Sequence, residues 1–455
     1  MQSAANDGPP PHVTATPPKW PARPEIVARE PRNLLLLAAH QTMLRLGWIF
    51  KTESVIMPAF LDWMVGPGAG WLRGFMPVLN RFGQSVPPVF CAETLGAMRR
   101  KKWALAACVA LMSVPFGVLS AVCLSVDVQR LPWAPGLFLG LYCLFFVFNG
   151  LYYLSFGTVQ GKLIRPTRRG RLLLVSTFWG SIPAMVFAWW LLPGWLEVPA
   201  SGFGYIFAFT AVCFFLSGMI VTLLSERPDE RQSLQIVRPL RSLVDTCSAL
   251  RHDRNLRRLV LVAMLFGTAL IVFPHYQTLA RVRLGLSLEQ SGGSLMAWVI
   301  TQNAAVGIWS LFVGPLADAW GNRLTLRMLI FGSAIAPAAA ILLSYLGGVG
   351  AALYWTVFVL LGLAPLVLRI LANYTLEICE PGEHPRYLST LALCLAIPFV
   401  FSPAVGWLVD RTFNLVFLSA TALILLGGYM TFRLDEPRHR VRDEEIAALG
   451  TLGDE

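Results

Sequence analysis

Residues 314–327 read GPLADAWGNRLTLR, and they separate two long apolar segments of the chain. Gly314 has no side chain, so it allows two helices to approach closely, and Gly321 permits a tight turn back in the opposite direction. Asp318 places a carboxylate at a helix end, where it can meet an arginine or the positive N-terminus of a neighbouring helix. The stretch therefore predicts a charged loop between two membrane helices that can hold one conformation and release in another.

The composition around this loop is that of a membrane protein. Of 455 residues, 55% are apolar and 14% are charged, whereas soluble proteins carry about 25% charged residues. A helix that crosses a bilayer needs about 20 mostly apolar residues. Windows of that length predict twelve spans, near 34–62, 71–97, 103–126, 133–161, 171–193, 203–224, 257–280, 293–316, 325–345, 349–375, 387–409 and 414–432.

The longest polar interruption, from Glu226 to Arg258, divides the spans six and six. The pattern predicts an all-α polytopic membrane protein with two six-helix bundles, at 33–225 and 257–432, and a cytoplasmic linker at 226–256. The first 32 residues are rich in proline and are expected to form a disordered cytoplasmic tail. Residues 433–455 are expected to form a second cytoplasmic tail.

Basic residues orient the predicted bundles. The chain carries 37 Lys and Arg against 26 Asp and Glu, a net charge of +11. Most of these basic residues fall in alternate loops and in the tails, on the side of both termini, and the positive-inside rule places that side in the cytoplasm. The excess charge therefore sets topology in a plasma (inner) membrane and requires no nucleic acid as a partner. The eight cysteines form no CxxC pair, and no metal or other cofactor is expected.

The loop at 314–327 resembles the loop signature of the major facilitator superfamily, in which glycine, leucine, aspartate, glycine, basic and leucine positions recur at fixed spacing. The matching positions are Gly314, Leu316, Asp318, Gly321, Arg323 and Leu326. The resemblance implies a transporter fold whose cavity is lined by the first, fourth, seventh and tenth spans. It also implies a gating role for the loop, with Asp318 facing the start of the fifth span, where arginines occupy positions 168, 169 and 171.

The corresponding loop of the first half departs from this signature. Residues 93–103 read ETLGAMRRKKW, with Ala97 at the position of the acid and Arg100 at that of the second glycine. Glu93 lies one turn earlier and could supply the carboxylate. The expected latch is therefore asymmetric, and a receptor, lipid-handling or assembly protein on the same scaffold stays open as an alternative to a transporter.

The two halves look like repeats of one another. Placing Pro58 on Pro274 aligns their first spans, and placing Leu95 on Leu316 aligns the ends of their second spans at a nearly equal offset. Internal repeats of this kind are typical of secondary transporters.

Charged residues inside the predicted spans are costly in a bilayer and are functional candidates. The first span contains Arg45, Lys51 and Glu53, and the second contains Arg81. Because Lys51 and Glu53 are two residues apart on a helix, they point to roughly opposite sides and are not expected to pair. Glu53 and Arg81 lie at similar depth, so we expect them to form an ion pair. That pair either couples proton movement to transport or is a static structural contact between the two spans.

Polar residues of the cavity-forming spans are candidates for substrate contact. These candidates are Lys51, Asn149, Tyr153, His275, Arg369 and Asn373. Lys51 and Arg369 would make the cavity positive, which favours an anionic or zwitterionic substrate. Each candidate has an alternative role as a hydrogen bond between helices.

Together these features predict a secondary active transporter, a symporter or antiporter, that moves a small solute by alternating access. The expected partners are that small molecule and the lipid bilayer, and the protein is expected to be a monomer. No HExxH motif, GxSxG motif or metal-spaced cluster occurs in the sequence to support an enzyme.

Overall fold

The computed structural model describes residues 24–66, 68–164, 172, 178–228, 248–286, 292–379 and 384–435. These residues form helices, and no strand occurs among them. The helices of the first half are α1 (Pro24–Phe50), α2 (Ile56–Val65), α3 (Gly70–Ala97), α4 (Lys101–Ser125), α5 (Ala134–Leu163), α6 (Gly180–Leu196) and α7 (Pro199–Thr222). Those of the second half are α8 (Arg254–Ile271), α9 (Tyr276–Leu284), α10 (Gly292–Trp320), α11 (Asn322–Ser344), α12 (Gly347–Leu353), α13 (Trp355–Leu361), α14 (Ala364–Glu377), α15 (His384–Ala396), α16 (Ser402–Arg411) and α17 (Phe413–Met430).

Nine segments of the described chain are long and apolar enough to cross a membrane, some of them joining two consecutive helices. Three further passages are α1 continued by α2, the polar α3, and α6, which is 17 residues long. Counting each broken helix as one passage gives twelve passages in the described residues, as the sequence predicted. The chain is therefore an integral multi-pass membrane protein.

Small residues and aromatic rings pack the first half. Gly218 of α7 faces the backbone of Ala110 in α4, at 3.1 Å from the position that its Cβ would take, so these two helices approach closely. Phe60 meets Phe138 and Phe207 edge to face, with ring centroids 5.3 and 4.9 Å apart. Such ring pairs contribute about 0.5–1.5 kcal/mol each beyond the burial of their area.

The start of the first passage differs from the expected disordered tail. Helix α1 begins at Pro24 and not near residue 33, because its first turns are held by the end of α7. Asn33 Nδ2 donates to the carbonyl of Ser225 at 3.1 Å, and Arg29 donates to the hydroxyl of Ser225 at 3.0 Å. Residues 1–23, most of the linker and residues 436–455 lie outside the described residues.

Each half brings its first and last helices together on one side, which we call the terminal face. The Asn33–Ser225 contact does this in the first half, and the backbone N–H of Asp435 donates to Asn255 Oδ1 at 3.1 Å in the second. Because each half has six passages, an even number, both contacts lie on the same side of the molecule. The other side, where α2 ends and α3 begins, is called the opposite face.

Candidate functional site

The first passage is interrupted between α1 and α2. Pro58 lacks an N–H and its ring crowds the preceding turn, so a continuous helix is disfavoured here. Thr52 Oγ1 donates to the carbonyl of Ile49 at 2.6 Å, a local bond that competes with the helix. The unwound backbone brings Lys51 Nζ to 2.9 Å from Glu53 Oε1. The expectation that these side chains point apart is wrong because it assumed an unbroken helix.

The side chain of Lys51 lies outside the lining of a cavity between the two halves, which we call the central cavity. Its side chain is fully buried, and Nζ lies 3.4 Å from the ring centroid of Trp48 and 4.3 and 4.5 Å from those of Phe145 and Phe146. Aromatic faces attract a cation, which offsets part of the cost of its burial. Lys51 is therefore placed to neutralise Glu53 and does not line the cavity.

Glu53 joins Lys51 to a chain of amides on α3. Its side chain is 24% exposed, and Oε2 accepts a hydrogen bond from Asn80, whose Oδ1 accepts one from Gln84. Among the described residues, Glu53 forms its ion pair with Lys51 and none with Arg81, so the expected Glu53–Arg81 pair is wrong. The break in the first passage gives Lys51 the nearer position. The guanidinium of Arg81 instead lies 5.1 Å from the ring centroid of Phe399.

The central cavity has a volume of about 330 Å³ and lies between the two halves. Its walls come from the α1–α2 break, α3 and α5 on one side, and from the α8–α9 break, α10 and α14 on the other. Ser54 Oγ donates to Gln302 Oε1 across the boundary between the halves. The polar lining consists of Thr52, Glu53, Ser54, Asn80, Arg81, Gln84, Tyr142, Tyr153, Gln302 and Asn303. This volume and mixed lining suit a small polar molecule.

The second half repeats the break of the first. Between α8 and α9 the chain forms one 3-10 turn, Phe273–His275, which contains Pro274. Phe273 and Pro274 line the cavity opposite the first break. The two prolines that align the halves in sequence therefore mark interruptions that meet at the same cavity.

The remaining substrate candidates fall in different places. Tyr153 is 56% exposed and lines the cavity. Asn149 is fully buried, away from the lining, and neither atom of its amide has a hydrogen-bond partner among the described residues. Arg369 and Asn373 are exposed and do not line the cavity, although Arg369 is close enough to Arg45 for electrostatic repulsion. Within the described chain, no group of three His, Cys, Asp or Glu could hold a metal ion.

A buried cluster of charges joins the two halves at the opposite face. We call it the closure cluster, and it consists of Asp62, Arg73, His275, Gln277, Thr278, Arg281 and Asp410. Arg73 is fully buried, forms an ion pair with Asp62 of its own half, and donates to Asp410 Oδ1 of the other half at 2.8 Å. Its Nε also donates to Nδ1 of His275, at 3.4 Å. His275, predicted as a substrate contact, is thus part of the closure and not of the cavity.

The other carboxylate oxygen of Asp62 contacts the second half. Oδ2 accepts hydrogen bonds from Thr278 Oγ1 and Gln277 Nε2, both at 2.8 Å, and lies 3.4 Å from Arg281. In the alignment of Pro58 with Pro274, Asp62 corresponds to Thr278. Equivalent positions of the two repeats are therefore in direct contact.

Glycines let the helices cross closely beside this cluster. A Cβ on Gly70 of α3 or on Gly406 of α16 would overlap the backbone of the other helix. The N–H of Gly70 donates to Asp410 Oδ2 at 2.6 Å, and Ser402 Oγ donates to the carbonyl of Gly74. This contact was not predicted from the sequence, although Gly70 and Gly74 have the GxxxG spacing that is common where membrane helices touch.

The signature loop lies at the terminal face. Gly321 separates α10 from α11 with φ +86°, a conformation that favours glycine, and Arg323 donates to the carbonyl of Leu434 at 3.0 Å. The close approach expected at Gly314 is not seen, since no described atom lies within 4 Å of its Cβ position. The side chains of Asp318, Glu93 and Ala97 and the arginines at 168, 169 and 171 lie outside the described part. The gating role of the loop stays a prediction.

Comparisons with known proteins establish the fold. A scan against protein-family models finds no match, and a search of curated proteins finds none either. Among solved structures, a D-xylose–proton symporter matches with a TM-score of 0.65 at 16% identity, over 89% of this chain and 98% of that one. The nucleoside transporter NupG matches with a TM-score of 0.58 at 12% identity, over 89% and 98%. The human organic anion transporter MFSD10 (TETRAN) matches with a TM-score of 0.56 at 15% identity, over 88% and 99%. The chain therefore has the predicted fold, that of major facilitator superfamily transporters.

Proposed function

We propose that the protein is a secondary active transporter that moves a small anionic or zwitterionic solute by alternating access. The observation that carries this proposal is the position of the cavity, which both halves line beneath a set of bonds between the halves. Breaking those bonds would uncover the cavity on the opposite face without unfolding either half. The solved structures with the same fold include transporters of nucleosides, D-xylose and organic anions.

The charge of the cavity supports the proposed substrate class. Glu53 is neutralised by Lys51, whereas Arg81 forms no ion pair with any described residue. The cavity therefore presents a guanidinium with no ion-pair partner among the described residues, although the carboxylate of Glu53 is close enough to attract it, beside several amides and Tyr153. Arginine binds carboxylate and phosphate through two parallel hydrogen bonds. We assign Arg81 to the anionic group of the substrate, and the amides to its polar remainder.

Glu53 is our candidate for proton coupling. It is the carboxylate that the cavity lining contains, and it is partly exposed there. A carboxylate beside a buried lysine can take up a proton when the lysine is displaced or when water leaves the cavity. The distribution of basic residues supports an orientation with the terminal face in the cytoplasm of a plasma (inner) membrane and the closure cluster outside. We propose a monomer, with the signature loop as the gate on the cytoplasmic side.

A ligand panel followed by a flux measurement tests the function. Purified protein is heated with short carboxylates, sugar phosphates, zwitterionic amino acids, neutral sugars and nucleosides. Each compound that raises the unfolding temperature is then tested for counterflow in proteoliposomes. We expect anionic or zwitterionic compounds to stabilise the native state, because a ligand that binds only that state raises its stability, and we expect the same compounds to exchange.

Two variants locate the binding. Arg81→Gln should abolish stabilisation and counterflow, whereas Arg411→Gln, at an exposed arginine of the opposite face, should leave both unchanged. Stabilisation without counterflow would contradict the transporter proposal and favour the receptor or assembly alternative. Stabilisation by neutral sugars alone, unchanged in Arg81→Gln, would overturn the proposed substrate class.

A further inference from the structure

A second cavity, of about 350 Å³, lies at the terminal face of the second half. It is formed where α8 begins and α17 ends, and these are the first and last passages of that half. Its lining consists of Arg254, Arg258, Leu261, Met430 and Arg433. Neither the central cavity nor the closure cluster includes any of these residues.

The lining is polar at one end and apolar at the other. Arg254, Arg258 and Leu261 follow one another at intervals of four and three, so they share one face of α8. Met430 and Arg433 are three apart at the end of the last passage. On both elements the arginines lie toward the terminal face and the apolar side chain lies deeper in the membrane. Leu261 is 45% exposed, so the deep end opens toward lipid.

The positive charge of this cavity is mostly uncompensated. Arg258 donates to the carbonyl of Arg433 at 2.6 Å and approaches Asp435 at 3.3 Å, but the side chain of Asp435 is 66% exposed, so that ion pair is weak. The guanidinium groups of Arg254 and Arg433 make no ion pair or hydrogen bond within the described residues. Among the described residues, three arginines therefore converge with one exposed carboxylate, that of Asp435, within ion-pair distance.

We propose that this cavity binds an anionic phospholipid of the leaflet at the terminal face. Arginine forks suit the oxygens of a phosphate group, and basic pockets at the ends of membrane helices are suited to anionic headgroups. Leu261 and Met430 would contact the upper part of an acyl chain, which free phosphate lacks. The bound lipid would connect the first passage of the second half to the last.

The test compares two double variants that remove the same charge. Arg254→Gln with Arg433→Gln alters the cavity at arginines whose side chains have no described hydrogen-bond or ion-pair partner, so folding should be kept. Arg130→Gln with Arg411→Gln removes two exposed arginines of the opposite face. Each protein is delipidated in detergent and titrated with phosphatidylglycerol, phosphatidylcholine or inorganic phosphate. The readouts are the unfolding temperature and the number of lipids retained in native mass spectrometry.

We expect phosphatidylglycerol to be retained and to raise the unfolding temperature, with phosphatidylcholine much less effective. The cavity variant should bind phosphatidylglycerol at least tenfold more weakly than the unaltered protein, and the opposite-face variant should bind it normally. Equal binding by both variants, or an equal loss in both, would overturn the site. Inorganic phosphate that stabilises as strongly as phosphatidylglycerol would also overturn it, in favour of a site for a free anion. Leu261→Ala should weaken the binding of phosphatidylglycerol and leave any response to inorganic phosphate unchanged. Unchanged lipid binding with a weaker response to phosphate would contradict the acyl contact.

Discussion

The breaks in the first passages of the two halves are equivalent in position and opposite in chemistry. The break before Pro58 places Thr52, Glu53 and Ser54 in the lining of the central cavity. The break at Pro274 offers the cavity an apolar wall, Phe273 with the proline itself. Its polar residues come immediately afterwards and turn away, into the closure cluster.

The same backbone break, repeated in the two halves, serves two different functions. Proline interrupts each helix at the same level, so both halves supply unwound chain to the cavity. The side chains then differ, because the first break holds a charge pair at the cavity and the second holds the closure to Asp62. Substrate binding and closure can therefore be altered separately, and that separation is what the following variants test.

The largest effect is expected from Arg73→Gln, which breaks the closure. It would leave the fully buried Asp62 with Arg281, at 3.4 Å, as its remaining ion-pair partner, and Asp410 with none among the described residues. Removing one partner of a buried ion pair costs about 3–5 kcal/mol. We expect a loss of that size in the free energy of unfolding, measured by denaturation in detergent micelles, and a cavity that becomes accessible from the opposite face.

Accessibility can be followed by labelling Ser54→Cys with a membrane-impermeant maleimide and quantifying that site by mass spectrometry. The matched control is Arg130→Gln, which breaks an ion pair whose side chains are 85% and 50% exposed. Exposed pairs contribute little, so neither stability nor labelling should change in the control. An Arg73→Gln protein that is as stable and as poorly labelled as the unaltered protein would show that the cluster does not hold the closure.

A smaller loss is expected from Glu53→Gln, which breaks the charge pair at the first break. Lys51 would stay buried among three aromatic rings without its carboxylate. Because Glu53 is partly exposed, we expect the cost to fall below the about 3–5 kcal/mol of a fully buried pair. Adding Lys51→Met should recover most of the stability, since the aromatic pocket then holds an apolar chain of similar length.

Transport separates the two proposed roles of this pair. If Glu53 couples protons, the double variant should be stable and should exchange substrate in counterflow. It should fail to accumulate substrate when a pH gradient is the driving force. Accumulation at the normal level in the double variant would reduce the pair to a structural contact. Labelling of Ser54→Cys from the opposite face should stay low in both variants, because the closure cluster is intact.

The architecture could be predicted because it follows from patterns that extend over the whole chain. An error of a few residues in the bounds of one span does not change the predicted fold. Twelve apolar windows, alternating basic loops and the spacing of Gly314, Asp318 and Gly321 each indicate the same fold. The Pro58–Pro274 alignment also paired the two positions near which the chain unwinds in the structure, although no unwinding was predicted. What it did not reveal was the effect of that unwinding on side-chain direction. The position of Glu53 beside Lys51 was therefore missed.

The closure cluster was harder to predict for a different reason. Asp62, Arg73 and Asp410 lie near the ends of their passages, where charged residues are normally solvated and carry little information. Their burial depends on the close crossing of Gly70 and Gly406, residues 336 positions apart in the sequence. Spacing within one helix can suggest such a crossing but cannot name the helix on the other side.

The smallest effect is expected from Thr278→Val, which removes one hydrogen bond and keeps the shape of the side chain. Asp62 loses the donor at its repeat-equivalent position but keeps Arg73 and Gln277. A single hydrogen bond contributes about 0.5–1.5 kcal/mol, so the free energy of unfolding should fall by about that amount. The labelling of Ser54→Cys should rise slightly. Thr210→Val is the control, because Thr210 is equally buried and its hydroxyl donates to the carbonyl four residues earlier in its own helix. If both threonines respond alike, the loss reflects a buried hydroxyl in general, and the contact between equivalent positions of the two repeats has no special part in closure.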